Sequence, residues 1–169
     1  IVFYAGDNDV ARGKSAEQVL ADFQSFLDTI QKRLPQTHVL YLPIKPSLAR
    51  WDMWPTMEKA NRLIQRHLET RYQWHYVDTV TPMLGDDGKP RPDLFLDDGL
   101  HMNQLGYEIW TGLVDPLVDR ALNMPDQEAQ GTVFHDQNRN GRLDDGEPPI
   151  PDVRVSNGRE IVRTGRQGT

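Results

Sequence analysis

Three groups of side chains in this 169-residue sequence have the types and spacing to do chemistry. The first is Asp98-Gly99-Leu100-His101. A histidine titrates near neutral pH and can take a proton from a hydroxyl, and an aspartate three residues earlier on a tight turn can reach back to hold the ring in one tautomer. In that pairing His101 is the base and Asp98 its orienter. The second group is Gly6-Asp7-Asn8-Asp9, in which an asparagine amide can donate to a developing oxyanion without titrating. Each has a plainer reading: Gly, Asn and Asp are the usual residues of a strand-to-loop turn, and a histidine near a helix start can be a capping or core residue. The third group, Asp136 to Glu147, matches the twelve-residue calcium loop at every ligand position. Asp136, Asn138, Asn140 and Glu147 supply side-chain oxygens, Arg142 a backbone carbonyl and Asp144 a contact through water, with Gly141 at the sharp turn. A polar turn without metal is the alternative. Only Asp136, Asp144 and Glu147 are carboxylates among those side chains, so the expected calcium site is weaker than that of a cytosolic buffer.

The elements that must position these groups are legible in the apolar pattern. Ile1 to Tyr4 is a short apolar run ending at Gly6, as expected for a strand covered on both faces. Ser15 with Gln18 forms a capping-box signature ahead of Val19, Leu20, Phe23, Phe26, Leu27, Ile30 and Leu34 at helical spacing, and Pro35 closes that helix. His38 to Ile44 reads as a second strand whose regular pairing stops near Pro43. A helix is expected from about Pro55 to Glu69, a third strand over Trp74 to Val77, and a last helix from about Gln104 to Leu122 with Leu105, Ile109, Trp110, Leu113, Leu117 and Val118 inward. The order β-α-β-α-β-loop-α implies right-handed crossovers and a parallel sheet with helices on both faces. In such a sheet chemistry collects at the C-terminal ends of the strands. Gly6 to Asp9 follows the first strand directly, and Asp98 to His101 lies in the long loop before the last helix.

With those two segments in that order, with Tyr4-Ala5 before the first and Asn103-Gln-Leu-Gly-Tyr after the second, the chain resembles the SGNH (GDSL-type) hydrolases over roughly Ile1 to Leu122. The resemblance implies an α/β fold, a three-layer flavodoxin-like parallel sheet that is here incomplete. It also implies an ester-cleaving acylhydrolase working through serine, histidine and aspartate with no catalytic metal. His101 and Asp98 would be two members of that triad, Asn8 an oxyanion donor, and Gly6 and Asp9 the supports of its turn. In the family the nucleophile lies in a Gly-Asp-Ser turn upstream of Gly-x-Asn-Asp, followed by a glycine that supplies another oxyanion donor. The serines here are Ser15, Ser25, Ser47 and Ser156, none of them in that context. The serine and the first strands are therefore expected to precede Ile1, and the 169-residue chain is expected to be inactive alone. Arg50, Trp51 and Trp54, after the second strand, are either pocket residues or core anchors.

From 123 to 130 the sequence turns polar, which reads as a linker between a domain over 1–122 and the start of another over 131–169. Short β-like runs at Thr132 to Phe134, Val153 to Val155 and Ile161 to Val162 are separated by Gly, Pro, Asn and Asp. Together with the calcium loop this part resembles the opening of β-sandwich modules of bacterial surface and secreted proteins, and is similar to the β-domain ahead of calcineurin-like metallophosphoesterases. That leaves two alternatives to an esterase: a calcium-stabilised binding or adhesion module without catalysis, and an accessory domain of a metallophosphoesterase.

Composition narrows the partners. Net charge is −6 with no Lys/Arg block, so a nucleic-acid partner is not expected. There is no cysteine, hence no disulfide, thiolate metal site or cysteine nucleophile. No apolar run is long enough to span a bilayer. Ile1 opens on a strand signature rather than a leader, so the chain is expected to begin inside a domain of an exported bacterial protein, periplasmic or extracellular. The expected substrate is an ester of an acylated sugar or lipid, and the sequence leaves the oligomeric state open.

Overall fold

Val39–Leu42 (β2) is a run of four buried apolar residues, because this strand is central and covered on both faces. In the computed structural model, which describes residues 1–71, 73–123, 131–156 and 161–168, β2 lies between Val2–Tyr4 (β1) and Trp74–Tyr76 (β3) in a parallel sheet of order β1-β2-β3. Phe3 is in register with Tyr41, and Tyr41 with Tyr76. Successive side chains of a strand point to opposite faces, and the two cores follow that alternation. Val39 and Tyr41 pack with Val19, Phe23 and Leu27 of the helix Ala16–Arg33 (α2) and with Met57, Ala60 and Ile64 of Trp54–Leu68 (α3). Leu40 and Leu42 pack on the other face with Met83, Leu94, Phe95 and Met102, and with Trp110 of Gln104–Asn123 (α4). The sheet thus has helices on both faces.

Local chemistry explains the boundaries. Ser15 Oγ accepts from Gln18 N at 3.3 Å while Gln18 Oε1 accepts from Ser15 N at 2.8 Å, so both orphan donors at the start of α2 are satisfied. Leu34 lies past the last turn and is half exposed, and Leu105, expected inward, also faces solvent. β2 ends where Pro43 cannot donate. There the buried Asn61 of α3 takes over the pairing, accepting from Ile44 N and donating to Ile44 O, both at 2.8 Å. Four short elements were not foreseen: a one-turn helix Asp7–Ala11 (α1) and 3-10 turns at Leu48–Met53, Thr81–Met83 and Pro92–Leu94.

The chain divides into two units, Ile1–Asn123 and Met124–Thr169. The polar stretch read as a linker falls outside the described residues, except Asn123, the last residue of α4. In the second unit Arg154–Ser156 (β4) pairs antiparallel with Ile161–Arg163 (β5), Val155 opposite Val162. Phe134, expected in a strand, makes a single antiparallel bridge with Pro149. Thr164 ties this unit together, its Oγ1 accepting from Val153 N at 3.0 Å and donating to Ile150 O at 2.8 Å. Among the described residues no helix is long and apolar enough to cross a membrane.

Candidate active site

The turn after β1 depends on Gly6. Its φ of 122° is open to glycine, and a Cβ there would come within 2.7 Å of Ile44 Cδ1. Gly6 O accepts from Val10 N at 3.0 Å, which starts α1 and leaves Asn8 exposed on its first turn. Asp7 anchors that turn: its Oδ1 accepts from Asn8 N at 2.8 Å, and its Oδ2 lies 3.4 Å from Lys45 Nζ and 3.2 Å from Arg50 Nη1. Asp9 faces the other way. Its carboxylate pairs with Lys14 at 2.9 Å and its carbonyl accepts from Lys14 N, so it holds the end of the turn. Lys45 is 7% exposed and donates to Tyr4 Oη at 3.1 Å. Burial lowers the Lys45 pKa, with Asp7 opposing; burial, then the charge of Asp7, raises that of the Tyr4 phenol.

The second half of the site is a closed turn ahead of α4. Leu96 N donates to His101 O at 2.8 Å and Gly99 N to Leu96 O at 2.9 Å, while Gly99 takes the left-handed conformation with φ 63°. Asn103 fixes the exit: its Oδ1 accepts from Gly106 N at 3.1 Å and its Nδ2 donates to Asp93 O at 2.8 Å. Inside the turn Asp98 Oδ1 accepts from Leu100 N and His101 N at 2.8 and 2.9 Å, and Asp98 Oδ2 lies 2.6 Å from His101 Nδ1. These bonds, that from His101 foremost, hold the Asp98 pKa down to about 2. An ionised carboxylate can only accept, so the proton between them belongs to Nδ1 and the basic lone pair to Nε2.

Asn8 and His101 line one cleft of ≈ 260 Å³, with Tyr4, Asp7 and Lys45 to one side and Met102, Tyr107 and Trp110 of the α4 region to the other. Asp98 stands behind His101, and Gly6 and Asp9 support Asn8 from outside. Trp51 and Trp54 do not line this cleft. They stack on each other with centroids 5.8 Å apart, and Trp54 packs against the α2–α3 core. Arg50 reaches the site by another route, donating from Nη2 to Asn8 Oδ1 at 2.8 Å. Sequence reasoning missed Lys45 and Asp7; a lysine inside Leu42-Pro-Ile-Lys-Pro46 was the available signal. A larger hollow, ≈ 590 Å³, lies beside Lys14 and Lys59, but both amines are already paired, with Asp9 and Asp22 and with Glu17.

In the second unit the loop Asp136 to Glu147 is closed on itself. Asp136 accepts from Asn140 N and Gly141 N, Glu147 from Gln137 N and Asp144 N, and Asp144 from the amides of Asn138 and Asn140. Arg142 N donates to Asn140 Oδ1 at 2.7 Å. Among the described residues no group of three or more His, Cys, Asp or Glu converges to hold a metal ion.

Residues 1–109 match the sequence profile of the GDSL-like lipase/acylhydrolase family. The chain is similar to platelet-activating factor acetylhydrolase IB subunit alpha1 of Pongo abelii, with 28% identity over 111 residues that cover 63% of this chain and 46% of that protein. Two solved structures share the fold. A GDSL-like lipase from Bacteroides thetaiotaomicron is 21% identical with a TM-score of 0.61, over 71% of this chain and 62% of that one. A carbohydrate esterase family 3 protein from Talaromyces cellulolyticus is 22% identical with a TM-score of 0.60, over 73% and 59%. The chain thus spans less than two thirds of the length of each.

Proposed function

Because the chain belongs to the GDSL-like lipase/acylhydrolase family, we propose that it carries the acid–base half of an esterase whose nucleophilic serine lies on a segment preceding Ile1. The observation that carries this reading is the 2.6 Å bond between Asp98 and His101 Nδ1, which leaves Nε2 as the basic nitrogen of a ring lining the same cleft as Asn8. In the proposed mechanism Nε2 takes the serine proton as the serine oxygen attacks the ester carbonyl. Asp98 stabilises the imidazolium, and the Asn8 amide donates to the tetrahedral oxyanion. The imidazolium then protonates the leaving alcohol; in the second half Nε2 takes a proton from the water that attacks the acyl-enzyme and returns it to the serine oxygen as the carboxylic acid leaves. The other serines have other tasks: Ser15 caps α2, Ser25 donates to Ala21 O from mid-helix, Ser47 is buried, and Ser156 lies on β4.

The substrate of this reading is an acylated sugar or lipid, in keeping with the names of the acetylhydrolase and carbohydrate esterase relatives. We further propose an exported bacterial protein in which residues 131–169 open an all-β module. There Asp136, Asn138, Asn140, Arg142 O, Asp144 and Glu147 would hold a structural calcium ion, which would neutralise the carboxylates of Asp136, Asp144 and Glu147 and supply no step of the reaction. The test is hydrolysis of short-chain aryl esters by three proteins: the 169-residue chain, the parent protein with its preceding segment, and that parent carrying His101→Ala. The expected order is inactive, active, inactive. Turnover by the 169-residue chain that vanished on His101→Ala would assign the nucleophile to another group.

A further inference from the structure

We propose that Arg50 is the positioning residue of the Asn8 amide, fixing it so that its NH2 rather than its carbonyl is offered to the cleft. This rests on the esterase reading above. Asn8 is exposed on a one-turn helix, and the fold around it does not choose between the two amide orientations related by half a turn about Cβ–Cγ. Only one of them presents a donor. Arg50 Nη2 lies 2.8 Å from Asn8 Oδ1, and a guanidinium has five donors, no acceptor and no neutral form at working pH. The amide atom turned toward Arg50 is therefore the oxygen, at every pH at which an ester survives. Among the described residues Asn8 Nδ2 makes no hydrogen bond and is left for the oxyanion.

Arg50 is itself held in place. Its side chain is mostly out of solvent, with Nη1 3.2 Å from Asp7 Oδ2, a charge pairing without hydrogen-bond alignment. The same Asp7 accepts from Asn8 N, so one carboxylate fixes both the backbone of Asn8 and the guanidinium that orients its side chain. Arg50 sits at the kink of the Leu48–Met53 turn, with φ −127° and ψ 25°. Its neighbour Ala49 donates from N to Gly99 O at 3.0 Å, inside the Asp98–His101 turn. One short segment therefore touches both halves of the site, the oxyanion donor through Arg50 and the base through Ala49.

The test is steady-state ester hydrolysis by the parent protein and a double-mutant cycle with Asn8. Arg50→Met is expected to lower kcat by roughly 10- to 100-fold with KM within about threefold, since the loss of one oriented oxyanion donor costs about 10²–10³ in kcat. Arg50→Lys keeps a cation but lacks the fork that spans Asp7 and Asn8, so it should recover only part. In the Asn8→Ala background neither substitution should lower kcat further. Losses that add to that of Asn8→Ala, or an Arg50→Met enzyme with unchanged kcat, would overturn the proposal. If Arg50→Met unfolds, as circular dichroism would reveal, Arg50→Lys carries the same cycle. Failure of the esterase reading is distinct: there the parent protein would show no ester hydrolysis, or hydrolysis that His101→Ala and Asn8→Ala themselves leave unchanged.

Discussion

At the scale of single residues, the Asp98–His101 pair sets both a tautomer and a pH dependence. Asp98→Asn keeps the acceptor for Leu100 N and His101 N but turns an NH2 toward His101 Nδ1. That nitrogen must then accept, and Nε2 carries the proton and ceases to be a base. In the parent protein kcat should fall by roughly 10⁴ with little change in KM. A loss below about tenfold would show that Asp98 does not set the tautomer of the ring. The pH effect follows from the depressed carboxylate. Asp98 has a pKa of about 2 in the folded chain and an ordinary value, about 4, when unfolded. Its stabilising contribution is thus complete above the unfolded value and is lost as pH falls from about 4 toward 2. The urea midpoint of the 169-residue chain should decline across that window, and less steeply in Asp98→Asn.

At the scale of elements, Asn61 shows what ends a strand without ending its pairing. Asn61→Ala loses both bonds to Ile44 and should cost about 2–5 kcal/mol of unfolding free energy in urea titrations, and a cost under about 1 kcal/mol would contradict the pairing role. Gly6→Ala should destabilise by about 1–3 kcal/mol, through its φ and the approach to Ile44. The long elements were legible because their signals are local: an apolar run for β2, a capping box for α2, the 3.6-residue spacing of α3. α1 was not, since five residues make too little pattern to separate from a turn. Leu105 fooled the periodicity because the buried face of the first turn of α4 passes through Gly106, which packs closely on Leu94 and Met102 and leaves Leu105 beside it in solvent. The candidate base and its aspartate were legible for the same local reason, three residues apart. The Arg50–Asn8 bond was not, because it joins positions 42 apart that only the sheet topology brings together.

At the scale of the whole molecule, the two units call for separate predictions. Calcium added to the 169-residue chain should give about one site by calorimetry, and the Asp136→Ala, Glu147→Ala variant none; equal binding by that variant would remove the loop from consideration. Chelation should lower the unfolding temperature of the wild type and leave that of the variant unchanged. For the first unit the consequential feature is the sheet edge. Among the described residues β1 pairs with β2 alone, and Ile1 and Val2 are 45% and 47% exposed. β2 gains its stability from neighbours on both sides, whereas β1 offers one line of backbone groups and two apolar side chains to solvent, the arrangement that recruits another strand. In a parent protein with a preceding strand, that strand would cover the edge. In the 169-residue chain the available partner is a second copy. Sedimentation equilibrium should therefore give an average mass that rises with concentration. Val2→Lys, which places a charge on the edge, should return the chain to monomer without changing its helix content. The parent protein should be monomeric at concentrations where the 169-residue chain associates. Association that persisted in Val2→Lys would assign the contact to another surface, and a monomeric wild type at all concentrations would mean that the edge is already protected.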